Sequence, residues 1–226
     1  MKRSFDIVMA SVMLVLALPL LFLSAIAVRL TSKGPVFFAQ ERWGRDGVQF
    51  RCLKFRTMVP DAEDWLLSDP DLKAMHKQNG FKLGLDQDPR VTGVGQLLRK
   101  THLDELPQVI NVIRGEMSII GPRPIVEEEL EWYGDDKREY LSVKPGVFGA
   151  WTAQGRRRVH YPDRALVELE YVRNPTILRG TQILLKHIPV LMVGLIQGVR
   201  FASTLIYKRI RHLLRIITGA EFDRIA

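Results

Sequence analysis

The sequence contains a single cysteine, Cys52, among its 226 residues. One cysteine cannot form a disulfide bond within the chain, which excludes the disulfide-stabilised secreted modules. It is also too few for a zinc site made of cysteines, and the five histidines have no metal-ligand spacing. The sequence has no Gly-x-x-x-x-Gly-Lys loop, no Gly-x-Gly-x-x-Gly motif after a strand, and no internal repeat. The two common glycine-rich phosphate-binding loops are therefore excluded.

The composition is that of a folded chain with a basic surface. Hydrophobic residues make up 46% of the sequence and charged residues 26%, which excludes disorder over the whole chain. The length predicts about one or two domains. Lys and Arg number 33 against 25 Asp and Glu, a net charge of +8. This balance favours anionic partners, and by charge alone nucleic acid, lipid headgroups and nucleotide substrates all fit.

Near the N-terminus, residues 7–28 carry no charge. As one helix they would reach roughly 33 Å, about the thickness of the hydrocarbon layer of a bilayer. Three interpretations fit: a cleaved signal peptide, a spanning anchor, and a hairpin that enters and leaves the membrane on one side. The signal peptide is disfavoured because its apolar region is usually about 7–15 residues long.

The charges around this segment and one proline within it favour the hairpin. Lys2 and Arg3 precede the segment, while Arg29 and Lys33 follow it. Loops rich in Lys and Arg prefer the cytoplasmic side, so both ends are expected there. Pro19 lies in the middle, where it removes a backbone donor and kinks the helix. We therefore predict a re-entrant helix-break-helix, although a spanning helix with a tolerated proline kink stays open.

A second membrane-facing region is predicted at the C-terminus. Residues 188–199 are apolar but too short to cross a bilayer. Within 206–217, apolar residues share one helical face and basic residues the other, as in helices that lie on anionic lipid. The alternative is a helix that packs on the protein's own core.

The middle of the chain reads as one compact unit of helices and a hairpin. Asp46-Gly47 separates two runs with strand character, 36–41 and 48–55, which predicts a β-hairpin. Helical spacing and capping signals predict helices at 60–68, 70–79, 94–100, 101–114, 127–140 and 163–173. The predicted fold is therefore α+β and mostly helical, with an N-terminal re-entrant membrane helix-break-helix, a small β-hairpin and amphipathic interfacial helices.

The chain divides into three predicted regions. Residues 1–30 are predicted to form the membrane hairpin and residues 31–185 the compact domain of helices and a β-hairpin. Residues 186–226 form an apolar and basic amphipathic extension.

Two adjacent carboxylates, Asp104 and Glu105, stand at the predicted start of helix 101–114, where Thr101 and Asp104 form a plausible capping pair. Several cations are near in sequence, including Arg99 and Arg123. Carboxylates among cations suit magnesium-assisted phosphoryl transfer, because the metal takes hard oxygens and the cations neutralise phosphate. An ordinary acidic helix N-terminus is the alternative interpretation.

Two further patterns bear on phosphate and metal binding. Lys54 and Arg56 are predicted on the same face of the second hairpin strand, where they could hold a diphosphate or simply face solvent. Asp86-Gln87-Asp88 has the Asp-x-Asp form with which many nucleotide-sugar glycosyltransferases hold a metal, but Asp88-Pro89 reads equally well as a turn.

Several longer motifs occur in order along residues 2 to about 185, and together they resemble the bacterial sugar transferase family. Its members are monotopic polyprenyl-phosphate phosphoglycosyl transferases. The motifs are Lys2–Asp6, Thr31–Phe38, Gln40–Arg42, Lys54–Met58, Asp88–Thr92, Leu98–Gln108, Met117-Ser118, Gly121–Pro124 and Lys144–Gly146.

The resemblance implies transfer of a sugar 1-phosphate from a UDP-sugar to undecaprenyl phosphate, with release of UMP, as the first membrane step of exopolysaccharide or other surface-glycan synthesis. It assigns Asp104 as the nucleophile that forms a phosphosugar-aspartate intermediate, with Glu105 assisting and magnesium required. By the same match, Asp104 and Glu105 are the expected metal ligands, and Lys54, Arg99 and Arg123 are expected to contact phosphate.

The resemblance also implies a location and a set of partners. The membrane hairpin, with Lys2 and Arg3 at its start and the bend at Pro19, is expected in the bacterial inner membrane, with the catalytic domain on the cytoplasmic face. UDP-sugar, undecaprenyl phosphate and membrane lipid are the expected partners, without nucleic acid, and a homo-oligomer is compatible with the sequence. The segment Gly146–Thr152 departs from the family's usual Gly-x-Thr-Gly-Leu-Trp-Gln, so no sugar preference follows from the match.

Two other function classes compete with this interpretation. A Leloir-type glycosyltransferase using Asp86 and Asp88 would transfer the sugar alone and release UDP. A non-enzymatic membrane-surface scaffold would show no turnover and would tolerate Asp104→Asn.

Overall fold

In the computed structural model, the described residues are 2–78, 83–84, 87–155, 159–189, 192–193, 196–197 and 200. The predictions for Asp86 and for the amphipathic segment 206–217 lie outside these residues. The helices are α1 Lys2–Thr31, α2 Ala62–Ser68, α3 Pro70–Gln78, α4 Gly93–Thr101, α5 Gln108–Arg114, α6 Glu127–Leu130, α7 Lys137–Tyr140, α8 Ala150–Ala153 and α9 Asp163–Arg173. The strands are β1 Phe37–Trp43, β2 Gln49–Phe55, β3 Ser118–Ile120 and β4 Gly146–Phe148. Residues 177–189 form a further helical segment.

The longest element, α1, is a single helix of 30 residues with Pro19 inside it. By length and composition it could cross a membrane. Most of its large apolar side chains are exposed, among them Leu16 and Phe22. The helix continues through Pro19. The structure therefore shows no break there, and the re-entrant arrangement stays a prediction.

One side of α1 packs on the rest of the molecule. Ala10 lies in a core cluster with Val112 of α5, and Val28 lies in a second cluster with Leu98 of α4. The sequence pattern did not reveal this buried side, because α1 is apolar on nearly every face.

Polar contacts attach both ends of α1 to the domain that follows it in the chain. At its start, Arg3 donates hydrogen bonds to the carbonyl oxygens of Val112 and Ile113, at 2.6 and 2.7 Å. The buried Asp6 carboxylate accepts from the Ser118 hydroxyl and the Ile119 amide, at 2.9 and 3.0 Å. Immediately after α1, the Arg56 guanidinium donates to the carbonyl oxygens of Ser32 and Lys33.

The predicted β-hairpin is confirmed. Strands β1 and β2 pair antiparallel, with Phe37 opposite Phe55 and Trp43 opposite Gln49. Asp46 and Gly47 in the connection both have positive φ, 59° and 74°, as expected for residues of this type in a tight turn. With mostly helical surroundings, this hairpin confirms the α+β class.

A second, parallel pair of strands was not predicted. Strand β3 lies beside β4, with Ser118 opposite Gly146 and Ile120 opposite Phe148. A Cβ atom at Gly121 would collide with the Lys144 carbonyl oxygen, so the two backbones approach too closely for a side chain. This close approach fixes the turn that follows β3.

The predicted helix 101–114 is wrong in one respect that matters for the site. Helix α4 ends at Thr101, His102 adopts a left-handed conformation with φ 59°, and Leu103–Glu105 form a 3-10 turn before α5. The Thr101 hydroxyl donates to the Leu97 carbonyl oxygen at 2.8 Å, so the predicted capping pair with Asp104 is also wrong.

The other predicted helices mostly agree with the structure. Helix α9 spans the predicted residues, and the Asp69 carboxylate caps α3 by accepting from the amides of Asp71 and Leu72. The helix predicted at 127–140 is instead α6, a 3-10 segment and α7, because Gly134 adopts φ 50° within it.

Candidate active site

The centre of the candidate site is the 3-10 turn Leu103–Glu105. The left-handed His102 ends α4 and redirects the chain, which places Asp104 and Glu105 in the interior rather than on an exposed helix end. Both residues are buried, with exposed fractions of 9% and 7%. Burial of two adjacent carboxylates is costly unless cations or hydrogen-bond donors stabilise them.

Two cations from distant parts of the chain stabilise Glu105. Its Oε1 atom accepts from Lys54 Nζ at 3.3 Å and from Arg123 Nη1 at 3.0 Å. Lys54 comes from β2 and Arg123 from the turn after β3, so the fold joins three segments at one carboxylate oxygen. Three residues that the sequence predicted for the site are therefore brought together.

The electrostatics of the two cations differ. Burial lowers the pKa of Lys54, and the nearby Arg123 charge lowers it further, while Glu105 and Asp104 oppose the change. Burial also lowers the pKa of Arg123, but the carboxylates of Glu105 and Glu129 outweigh it, so its pKa is raised. Arg123 is therefore a permanent cation, whereas the charge of Lys54 depends on its carboxylate neighbours.

Arg99 completes the group on the side of Asp104. Its Nε donates to the Thr57 hydroxyl at 2.8 Å, which orients the guanidinium. Burial lowers the pKa of Arg99, and the charges of Asp104 and Asp88 oppose this shift. Asp104 thus lies in the electrostatic field of Arg99 and Lys54, the two cations whose pKa values its carboxylate raises.

The structure does not bring Arg56 to this group. Strand β2 ends at Phe55, so the predicted alternation of faces does not extend from Lys54 to Arg56. The Arg56 guanidinium instead donates to the carbonyl oxygens of Ser32 and Lys33 and to the Ser32 hydroxyl, the last at 2.6 Å. Its contacts are thus with the chain that follows α1.

Asp88 has a partner of its own. Its carboxylate forms a two-pronged ion pair with Arg90, at 2.8 and 2.9 Å, and is buried. Burial raises the pKa of Asp88, but the hydrogen bonds from Arg90 outweigh it and lower the pKa. Both oxygens are already engaged, which does not favour Asp88 as the metal ligand of an Asp-x-Asp motif.

The described residues suit a metal ion only if a bound substrate supplies some of its ligands. Among the described residues, no group of three His, Cys, Asp or Glu side chains could hold a metal. Asp104 and Glu105 supply two carboxylates, and Mg²⁺ commonly binds through one or two carboxylates together with substrate phosphates and water. The pair therefore suits a magnesium ion that arrives with a diphosphate substrate.

A layer of residues that the sequence did not predict surrounds Arg123. Its guanidinium carbon lies 5.8 Å from the centre of the Trp151 ring, and that of Arg164 lies 4.1 Å from the same ring. Arg164 Nη1 donates to Glu129 Oε1 at 2.8 Å, and Arg42 Nη1 donates to Glu129 Oε2 at 3.2 Å. No pattern in the sequence predicted this network, because its members lie far apart along the chain.

In chemical terms, the site offers two buried carboxylates close to three cations, Lys54, Arg99 and Arg123. Such a group can attract a polyanion, neutralise its charge and let a carboxylate oxygen approach phosphorus.

The family comparison shows the class of this protein. A model of the family described as "Bacterial sugar transferase" matches residues 1–194. The chain belongs to the bacterial sugar transferase family. This confirms the resemblance drawn from the motifs, and it makes the protein an enzyme of the transferase class.

Individual sugar transferases show the same relationship. The exopolysaccharide production protein ExoY of Rhizobium meliloti is 43% identical over 192 residues, covering 83% of this chain and 84% of ExoY. The undecaprenyl-phosphate galactose phosphotransferase of Salmonella typhimurium is 43% identical over 190 residues, 82% of this chain. The UDP-glucose:undecaprenyl-phosphate glucose-1-phosphate transferase of Escherichia coli is 39% identical over 181 residues, 76% of this chain.

This sugar transferase differs from some of these relatives in length. The match covers 39% of the Salmonella protein and 36% of the Escherichia coli protein, so the chain spans less than half of each. Its length is close to that of ExoY.

Proposed function

We propose that this enzyme transfers a sugar 1-phosphate from a UDP-sugar to undecaprenyl phosphate and releases UMP. The observation that carries the proposal is the carboxylate pair Asp104-Glu105 held among Lys54, Arg99 and Arg123. The names of relatives from Salmonella typhimurium and Escherichia coli, which describe undecaprenyl-phosphate sugar phosphotransferases, support the same reaction.

In the first step, an Asp104 carboxylate oxygen attacks the phosphorus that bears the sugar. A bond forms between this oxygen and phosphorus, while the bond from phosphorus to the bridging diphosphate oxygen breaks. UMP leaves with that bridging oxygen and its electron pair, and the sugar 1-phosphate stays on Asp104. Arg99 and Lys54 reduce the repulsion between the carboxylate and the diphosphate.

In the second step, a phosphate oxygen of undecaprenyl phosphate attacks the same phosphorus. The bond to Asp104 breaks, its carboxylate is restored, and undecaprenyl-diphospho-sugar is the product. The bond between the sugar and its phosphate oxygen never breaks. Because UMP departs before the lipid phosphate enters, the same cations can serve both substrates in turn.

Glu105 has a supporting role in this scheme. Its Oε1 atom is engaged by Lys54 and Arg123, so it holds both cations beside the reacting phosphate. A magnesium ion, when bound, would be held by Asp104 and Glu105 and would withdraw charge from the diphosphate. Lys54, Arg99 and Arg123 then orient the remaining phosphate oxygens.

We place the enzyme at the cytoplasmic face of the inner membrane, with α1 entering and leaving the bilayer on that side. The contacts of Arg3 and Asp6 at one end of α1, and of Arg56 at the other, support this arrangement. Because both ends touch the same domain, a helix that crosses fully would pull this domain into the bilayer. The positive charge at both ends favours the cytoplasmic side.

The division into a membrane hairpin at 1–30, a catalytic domain at 31–185 and an extension at 186–226 is part of the same proposal. So is the role in exopolysaccharide synthesis, which the name of ExoY supports.

The decisive experiment compares the wild type with Asp104→Asn, using Asp135→Asn as a control because Asp135 is exposed and remote in sequence. Incubation with a panel of UDP-sugars and magnesium, without lipid acceptor, should release one UMP per wild-type molecule and leave a phosphosugar adduct on Asp104 by mass spectrometry. Asp104→Asn should give neither, while Asp135→Asn behaves as wild type.

Three results would contradict the proposal. Release of UDP would instead support a Leloir-type glycosyltransferase. Wild-type turnover in Asp104→Asn would remove the covalent mechanism, and absence of turnover with every UDP-sugar would support a scaffold.

A further inference from the structure

The backbone of Arg123 is held from two helices that take no part in the proposed chemistry. Its amide donates to Glu168 Oε1 of α9 at 3.4 Å. Its carbonyl oxygen accepts from the Tyr140 hydroxyl of α7. The side chain of Arg123 meanwhile reaches Glu105 in the site. The backbone of Arg123 is therefore held on both sides of its Cα, and the position of its guanidinium depends on these two contacts.

Glu168 is unusual among the acidic residues described. It is fully buried in the middle of α9, with an exposed fraction of 0%. Its Oε2 atom has no hydrogen-bond partner among the described residues. A buried carboxylate without full pairing destabilises a fold, so packing alone does not account for it.

The same helix also fixes the aromatic ring beside Arg123. Arg164 lies one helical turn before Glu168, and its guanidinium carbon is 4.1 Å from the Trp151 ring centre. Glu129 holds Arg164 from α6 at 2.8 Å. A Cβ at Gly149, the residue before α8, would lie 3.5 Å from Glu168 Oε1, so this carboxylate also faces the backbone that leads into Trp151.

We propose that Glu168 is a positioning residue for Arg123, acting through the backbone amide of Arg123 and the backbone that leads into Trp151. This inference rests on the proposed function, because it takes Arg123 to be a phosphate contact. Tyr140 performs the complementary task at the carbonyl oxygen. Neither residue touches the reacting atoms.

The test uses graded substitutions in the full chain. Glu168→Gln keeps an oxygen acceptor for the Arg123 amide, whereas Glu168→Leu removes it. Tyr140→Phe removes one hydroxyl group and leaves the ring. The matched control is Glu170→Gln, on the same helix but exposed and paired with Arg179 at 3.0 Å. For each variant, kcat and KM are measured by UMP release, together with Tm.

Glu168→Leu should lower kcat/KM at least tenfold and Tyr140→Phe about fivefold, the effect of losing one hydrogen bond. Glu168→Gln should stay within about threefold of wild type, because it restores the acceptor. Glu170→Gln should be unchanged. If Glu168→Leu does not fold, Tyr140→Phe and Glu168→Gln decide the question.

A double-mutant cycle with Arg123→Gln separates positioning from general packing. If Tyr140 and Glu168 act through Arg123, their substitutions should have no further effect on kcat/KM once Arg123 is replaced. Equal losses in both backgrounds would overturn the inference, as would a loss in Glu168→Gln as large as in Glu168→Leu. If Arg123→Gln alone has wild-type kcat/KM, Arg123 is not a phosphate contact and the inference loses its premise, whereas absence of UMP release in the wild type would overturn the proposed function.

Discussion

Arg123 Nη1 lies 3.0 Å from Glu105 Oε1, and this ion pair joins the turn after β3 to the turn before α5. The two residues are 18 positions apart in sequence. Both side chains are largely buried, with exposed fractions of 15% and 9%. A pair in this environment is sensitive to the loss of either charge, since the remaining charge stays in the interior.

The first prediction follows from this pair. Glu105→Gln keeps the shape of the side chain but leaves Lys54 and Arg123 without their shared carboxylate. We expect a loss of about 3 kcal/mol in the free energy of unfolding, and a loss of UMP release of about a hundredfold or more. Chemical denaturation and the UMP assay measure these two effects.

Glu131→Gln is the control for this prediction. Glu131 pairs with Lys137 at 2.6 Å, but its side chain is 68% exposed. Its substitution should change the stability by well under about 1 kcal/mol, because surface pairs contribute little. Equal stability of Glu105→Gln and the wild type would contradict the first prediction.

The second prediction separates Arg56 from the phosphate-binding cations. Its guanidinium donates to Ser32 and Lys33 after α1, and Lys in its place cannot make all of these hydrogen bonds. Arg56→Lys should therefore lower Tm by several degrees, as expected for a loss of about 1 kcal/mol, and leave KM for the UDP-sugar unchanged. Lys54→Arg should instead raise KM for the UDP-sugar and leave Tm unchanged. A raised KM in Arg56→Lys, at unchanged Tm, would contradict this prediction and indicate that Arg56 contacts the substrate phosphate.

The third prediction concerns pH. Burial raises the pKa of Glu168 from its usual 4.5 to about 7, partly opposed by Arg164 and Arg123. Between these values the folded protein holds a proton that the unfolded chain has lost. Stability therefore falls as pH rises from about 4.5 to about 7, by at most about 1.4 kcal/mol for each pH unit, and is constant above.

Glu168→Gln cannot titrate, so it should lack this contribution. Tm measured at pH 5, 6, 7 and 8 should rise in the variant relative to wild type as pH increases, with Glu170→Gln following the wild type. Parallel curves for Glu168→Gln and wild type would refute the assignment. The Trp151 amide also acts on Glu168 and does not titrate. The nearby hydroxyls of Tyr133, Tyr140, Tyr161 and Tyr171 have raised pKa values, so they stay neutral over this range.

The fourth prediction concerns topology. A cysteine introduced by Lys2→Cys should be shielded from a membrane-impermeant thiol reagent added outside intact cells, and should react after permeabilisation. Glu131→Cys, on the exposed surface of the domain, should behave identically. The natural Cys52 is buried and should not react in the folded protein. Labelling of residue 2 but not residue 131 in intact cells would mean that α1 spans.

The sequence was most informative where a local pattern determines the structure. Asp46-Gly47 between two apolar runs predicted the hairpin, because a tight turn depends on its own residues. The adjacency of Asp104 and Glu105 only indicated a candidate site, and the family motifs assigned the roles of these residues. The sequence predicted a helix boundary between residues 100 and 101, but neither the left-handed His102 nor the 3-10 turn after it, because apolar residues keep helical spacing from Leu103 into α5. The meeting of Lys54 and Arg123 at Glu105 is purely tertiary.

Short elements and strand ends account for the other differences. Strands β3 and β4 have three residues each, too few for alternation to appear in the sequence. Arg56 was placed with Lys54 by that same alternation, but the strand stops at Phe55. The roles of Glu168 and Trp151 depend on the packing of α9, which no single segment encodes.

The attachment of α1 at both ends has a consequence for any attempt to obtain a shortened enzyme. Ala10 and Val28 fill space between other elements, and Asp6 occupies two donors near β3. Removing residues 1–31 would therefore expose apolar surface of α4 and α5 to solvent and leave those donors without their acceptor. A truncated protein should aggregate rather than dissolve, so purification in detergent or lipid nanodiscs with α1 intact is the practical route to the active molecule.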